Sequence, residues 1–286
     1  MNMNHLRMGA GKPLLLIHGL GGSARSWSTV WTALAERREV IAIDLPGFGA
    51  TPPLPGETSI RSLSDAVTAF LDAQGLRGID AVGSSMGARL VLELARRGGV
   101  LGSVVSLDPG GFWRGWERHA FFSSIWLSIR AVRLLQPVMP AIARSTVART
   151  MLLAQFSRRP WALDPAVVLE EMRSYARAPA FDELLHRLAY GEEQEGAARG
   201  SIEAPLVIGW GRNDRVCFTS QAKRALALFP DARLHWFERC GHFPHWDAPQ
   251  ATVQLILNTT ARQIGASTAG VPAAQSAILG AGGSAA

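Results

Sequence analysis

The chain has 286 residues, 48% of them hydrophobic, and a formal net charge of +6. That length suits one α/β domain with an insertion, or two small domains, and the composition is ordinary for a globular protein. No run of eighteen apolar residues is free of charge, which argues against a spanning helix. The apolar run at residues 14–17 is too short for a leader core, so the chain reads as cytoplasmic.

Strand-like apolar runs occupy residues 14–18, 40–44, 79–83, 104–108, 206–210 and 233–237. The first five are continuously apolar, as in strands buried on both faces. Helical periodicity fills 27–37, 60–74, 86–97, 220–228 and 250–261. The alternation predicts an α/β fold: a mostly parallel central sheet flanked by helices. In such sheets functional residues gather beyond the carboxyl ends of the strands. Residues 112–200 interrupt the alternation. They have helical periodicity and no convincing strand, with Phe122, Ile125, Ile129 and Val132 on one face. Pro137, Pro140, Pro160, Pro165 and Pro179 divide the region into short helices. The expected organisation is a core from 1–111 and 201–263, with 112–200 inserted as helices. From residue 266 the chain is almost all Ala, Gly, Ser and other small residues, so 264–286 is expected to be a disordered tail.

Gly83-Ser84-Ser85-Met86-Gly87 lies between a strand-like and a helix-like run. A G-x-S-x-G in that context predicts a turn tight enough to strain Ser85 and lift its hydroxyl above the sheet edge. A serine hydroxyl needs a base, an acid to orient that base, and donors for the oxyanion that forms. His242 is the candidate base, on the loop after residues 233–237, with His245 as its competitor. Asp214, just after residues 206–210, is the candidate acid, and Asp108 at the end of 104–108 is the alternative. The oxyanion donors are expected to be the backbone N–H groups of Met86 and of Leu20, in the glycine loop His18-Gly19-Leu20-Gly21-Gly22. His18 is expected to brace that loop. Cys217 and Cys240 read as free thiols, and no His/Cys spacing suits a structural metal.

The positive charge is nearly all arginine, since Lys12 and Lys223 are the only lysines. Between residues 112 and 160, eight arginines face the single acid Glu117, interleaved with aromatic residues. No nucleic-acid-reading motif accompanies them. The favoured reading is a solvated helix face, ahead of attraction to an anionic substrate or lipid headgroups.

Taken jointly, these motifs resemble the α/β-hydrolase superfamily. They comprise His18-Gly19, Asp44-Leu45-Pro46-Gly47-Phe48-Gly49, the turn at Ser85, Gly209-Trp210-Gly211-Arg212-Asn213-Asp214 and Gly241-His242. The order Ser, Asp, His is the family's. The resemblance runs from about residue 14 to 261 and implies that 112–200 is a cap, or lid, over the site. Residues 44–49 would be a structural turn. Many relatives begin with two further antiparallel strands, whereas here there is room for one. The implied activity is carboxylic ester hydrolysis through an acyl-enzyme, without a cofactor, on a small apolar substrate. Phe112, Trp113 and Phe243 are the expected pocket residues. Cleavage of ring-cleavage diketones, lactones or thioesters, perhydrolysis, and ligand binding without turnover are the alternatives. Serine at the elbow argues against epoxide and haloalkane hydrolysis, which use aspartate there.

Overall fold

The computed structural model describes residues 2–261, so the tail expected at 264–286 lies outside the described residues. Seven strands form one sheet: β1 (His5–Met8), β2 (Pro13–Ile17), β3 (Glu39–Ile43), β4 (Ile79–Ser84), β5 (Leu101–Leu107), β6 (Leu206–Gly211) and β7 (Arg233–Phe237). Their order is β1-β3-β2-β4-β5-β6-β7. β1 pairs antiparallel to β3, with His5 opposite Ile43, and every other pairing is parallel. β1 fills the room left before residue 12. β5 begins three residues earlier than its apolar run, because Gly102 and Ser103 interrupt the hydrophobic pattern without interrupting the strand. The Ser103 N–H donates to Asp80 Oδ1 at 2.9 Å, beside an irregularity in the β4–β5 register.

Alternation along β2 and β3 divides the core, as a period of two requires. Leu15, Ile17, Ile41 and Ile43 face α2 (Ile60–Ala73), α3 (Met86–Arg97) and α9 (Ser220–Leu228). Leu14, Leu16, Val40 and Ala42 face α1 (Ser28–Ala35) and α11 (Pro249–Thr260), where Trp27, Trp31, Leu34 and Ile256 are buried. β7 is half-buried at the edge, unlike the fully buried β4 and β6. At the amino ends of the strands, Asp80 is completely buried and meets Arg38 at 2.8 Å and Lys12 at 2.9 Å. Arg38 also donates to the carbonyls of Lys12 and Pro13.

Five helices lie between β5 and β6: α4 (Trp116–Leu134), α5 (Met139–Arg144), α6 (Thr146–Leu153), α7 (Pro165–Arg177) and α8 (Phe181–Tyr190). α4 packs on α7 and α8, and α5 on α6 and α7. The buried face of α4 carries Phe121, Ile125, Ile129 and Val132. The periodicity places Phe122 there; the structure does not. Phe121 is four residues before Ile125 and takes the inward position, and half-buried Phe122 turns towards His186 and Tyr190. After β7 comes the short α10 (Pro244–Asp247).

Residues 44–49 form a turn built around the Asp44 carboxylate. It accepts from the N–H groups of Ala24 and Ala50 and from the Asn4 amide, at 2.7–2.8 Å. Gly49 sits at φ +54°, where an added Cβ would fall 2.2 Å from that carboxylate, so only glycine fits.

Candidate active site

Ser85 links β4 to α3 at φ 55° and ψ −112°, a conformation that non-glycine residues rarely adopt. Small neighbours make the turn feasible: a Cβ on Gly83 would lie 2.1 Å from the Gly87 carbonyl, and one on Gly87 would lie 2.3 Å from that of Ile17. The Ser85 N–H donates to the Leu107 carbonyl at 2.9 Å, which ties the turn to the end of β5. The strain thus holds the hydroxyl out above the sheet.

His242 Nε2 lies 2.8 Å from Ser85 Oγ, and its Nδ1 lies 2.8 Å from Asp214 Oδ2. A carboxylate can only accept, so Nδ1 carries the proton and Nε2 is left to take one from the serine. The other Asp214 oxygen accepts from the N–H groups of Val216 and Cys217 at 2.7 and 3.0 Å. Serine, histidine and aspartate therefore form one continuous relay, with the acid fixed by backbone donors. Asp108 does not reach the histidine. Its Oδ1 accepts from the Gly211 N–H at 2.8 Å and its Oδ2 has no hydrogen-bond partner. Burial, and then the Asp214 charge, push its carboxyl well above the usual range and so disfavour its ionised form. Like Ser85 it has a positive φ, 49°.

The His242 loop is anchored from both sides. The His242 N–H donates to the Phe156 carbonyl at 2.8 Å. Asp247 accepts from the Gly241 N–H, the Ser157 hydroxyl and the Arg158 N–H at 2.7, 2.5 and 2.7 Å. The sequence gives no local signal for this role, because Ser157 and Arg158 are about ninety residues away. His245 is buried against Trp27, and burial pushes its ring down to about 3, so it stays neutral. His18 is also buried. Its Nδ1 donates to the Gly19 carbonyl at 2.7 Å and its Nε2 accepts from the Leu45 N–H at 3.1 Å, which fixes the tautomer and braces the glycine loop. That loop passes close to the serine: a Cβ on Gly19 would sit 3.1 Å from the Ser85 Cβ. Met86, at the first turn of α3, has an N–H without an intrahelical acceptor.

A cavity of about 270 Å³ opens above Ser85. Leu20, Ser85, Met86 and His242 form its floor, and α4, α6, α7 and α8 supply its walls through residues such as Ile125, Ile129, Leu153, Met172 and Phe181. Trp113 and Phe243 line it as expected. Phe112 does not. It packs edge-on against Phe229, 6.4 Å between ring centres, and its carbonyl accepts from Arg224. The two residues are neighbours in the chain, and sequence position alone does not say which of them reaches the cavity. Tyr175 and Phe156 complete the lining, which among the described residues contains no lysine, arginine or carboxylate.

Behind the glycine loop, Glu171 of α7 is fully buried. The hydroxyls of Ser26 and Tyr175 lie against its carboxyl, which burial raises to about 7. Asp214, Cys217 and His242 bring one ligand atom each within 4.8 Å of one another. The Cys217 thiol is pushed well up by burial and by the neighbouring carboxylates, and the histidine's Nδ1 is already engaged, so this trio suits the relay better than a metal. Cys217 and Cys240 are both free and buried. No helix of the described residues is long and apolar enough to cross a membrane.

The same architecture recurs in known proteins. The 2-hydroxy-6-oxononadienedioate/2-hydroxy-6-oxononatrienedioate hydrolase 2 of Pseudomonas putida is 25% identical over 276 residues, 90% of each chain. The dihydrolipoyllysine-residue acetyltransferase component of the acetoin cleaving system, also of Pseudomonas putida, is 27% identical over 260 residues. That match takes in 86% of this chain but only 63% of the acetyltransferase, so this chain spans under two thirds of that relative. A bacterial membrane phospholipase A of known structure superposes with a TM-score of 0.71 at 25% identity, over 92% of this chain and 84% of the other. Residues 14–255, which carry the glycine loop, the strained serine, the aspartate and the histidine, match the family's sequence model, and the chain belongs to the alpha/beta hydrolase family.

Proposed function

We propose that this hydrolase cleaves carboxylic esters of neutral, apolar acyl groups through a serine acyl-enzyme. The observation that carries the reading is the relay Asp214–His242–Ser85 at the floor of a cavity without a charged wall. Ser85 Oγ attacks the ester carbonyl carbon while His242 Nε2 takes the hydroxyl proton. The resulting oxyanion sits against the backbone N–H groups of Leu20 and Met86. Asp214 stabilises the imidazolium, which then protonates the leaving alkoxide. A water molecule, deprotonated by His242, attacks the acyl-enzyme carbonyl and releases the acid and the free serine. No step requires a cofactor.

The names of the Pseudomonas putida hydrolase and the phospholipase support hydrolysis in general and leave two bond types to choose between. Carbon–carbon cleavage of ring-cleavage diketones is the second reading, favoured by the Pseudomonas putida hydrolase that spans 90% of this chain. That relative's name specifies a dicarboxylate substrate. A dicarboxylate needs cationic or strong donor partners once desolvated, and the lining here offers neither lysine nor arginine. Neutral esters fit it better. The decisive experiment gives purified protein a panel of aryl acyl esters, lactones and ring-cleavage diketones, with Ser85→Ala as control. Ester turnover that disappears in the variant is expected. Preferential turnover of the diketones would replace this reading with the second, and turnover surviving in the variant would overturn the serine mechanism.

A further inference from the structure

The cap's outer surface differs from the rest of the molecule. Between Arg118 and Leu163 the chain has seven arginines and no aspartate or glutamate. Two of them are ion-paired, Arg118 with Glu193 and Arg133 with Asp182. Arg149 is buried and donates to the carbonyls of Ala143, Pro160 and Trp161. Arg130 and Arg144 are exposed and have no ion-pair partner among the described residues. The same surface holds large apolar side chains in water. Leu127 is 64% exposed, Leu134 80%, Val147 71% and Met151 77%. Leu127 and Leu134 are seven residues apart on α4, and Arg130 lies between them, its guanidinium 5.0 Å from the Trp126 ring. Val147 and Met151 are four apart on α6, so each pair forms a stripe. Ser124 and Ser128 of α4 hydrogen-bond Gln155 just after α6, which brings the two helices side by side.

These stripes meet at the mouth of the cavity. Among the described residues that line it, Leu127 and Met151 are the exposed ones. The apolar path from the serine therefore reaches the surface where arginine and apolar side chains are interleaved. Apolar residues set beside unpaired cations match an anionic lipid surface: the side chains enter the acyl boundary and the guanidiniums meet the phosphates. Tryptophan next to arginine suits the headgroup level.

We propose that the outer face of α4 and α6 docks on an anionic lipid surface, so that an acyl chain passes between Leu127 and Met151 into the cavity. The fate of that chain rests on the ester-hydrolase reading; the docking does not. The test uses the full chain carrying Ser85→Ala, so that lipid is not consumed, in flotation with vesicles of phosphatidylglycerol or of phosphatidylcholine. Binding to phosphatidylglycerol, weakened by salt and lower for phosphatidylcholine, is expected. Arg130→Gln with Arg144→Gln should lower it by roughly 5-fold per arginine, and Leu134→Ser with Val147→Ser should lower it as well. In the Ser85 background, none of these four changes should alter turnover of a water-soluble short-chain ester, which also checks folding. Absence of binding to phosphatidylglycerol, equal binding to both lipids, or undiminished binding in the variants would overturn the docking face. So would self-association through these stripes without vesicle binding. Vesicle binding by a protein that turns over no ester would support the docking face and overturn only the ester reading.

Discussion

The two ends of the sheet treat buried carboxylates in opposite ways. At the amino ends, Asp80 is neutralised by Arg38 and Lys12. At the carboxyl ends, Asp108, Asp214 and Asp247 are buried without an arginine or lysine partner, held by backbone N–H groups, a serine hydroxyl and a histidine. Among the described residues, the two non-glycine residues with positive φ, Ser85 and Asp108, lie at that same end. One end of the sheet is built for cohesion. The other keeps negative charge available to a histidine and stores backbone strain that the rest of the fold sustains.

Substitutions at the two ends should separate activity from stability. The largest effect belongs to Asp214→Asn: its one amide oxygen stays with the Val216 and Cys217 N–H groups, and its NH2 turns to the histidine, which loses the acceptor for its Nδ1 proton. A fall in kcat of about 10⁴-fold is expected, with the thermal midpoint nearly unchanged, as read by ester hydrolysis and calorimetry. A variant that melts early but keeps its turnover would reverse the contrast. Asp80→Ala should do the opposite. It strands Arg38 in the core, so denaturant titration should show a loss of about 3 kcal/mol or more while the kcat of the folded fraction is preserved.

Glu171→Gln probes the wall between fold and site. The buried carboxyl titrates at about 7, above the ordinary glutamate value of 4.5. The folded state therefore holds a proton that the unfolded chain gives up first. Its contribution to stability is intact below pH 4.5, declines as the pH rises, and is fully lost above about 7. The variant should be more stable than the parent by roughly 3 kcal/mol at pH 8, with no advantage at pH 4.5. Melting curves across that range check the sign, and a flat difference would remove the assignment. The smallest effect is expected for Asp108→Asn. An amide can still accept from the Gly211 N–H, and it replaces a carboxyl whose ionisation burial already disfavours, so stability should change by under about 1 kcal/mol. Asp108→Ala, which leaves that N–H without an acceptor, should cost about 1–3 kcal/mol.

Local signals made much of this legible in the sequence. Continuous apolar runs marked the buried strands, and short motifs at strand ends marked Ser85, His242 and Asp214, because each needs a special turn in its own neighbourhood. What escaped depends on distant partners. Asp247 reads as an acid beside a helix start, and only the fold brings Ser157 and Arg158 to it. Glu171 lies in a stretch of α7 whose local pattern does not reveal that its carboxyl is buried beside Ser26. Phe112 and Trp113 are both buried aromatic residues, yet only Trp113 reaches the cavity above Ser85. Composition announces burial, while direction comes from the path of the backbone.

The knot at Asp247 has a mechanical consequence. The stretch from Phe156 to Arg158 is fastened to the very loop that carries His242, through its carbonyl, its hydroxyl and its N–H groups. That flank cannot swing away from the core without dragging His242 off the serine. An opening that keeps the relay intact has to part side chains elsewhere along the rim, leaving this edge of the helical layer where it is.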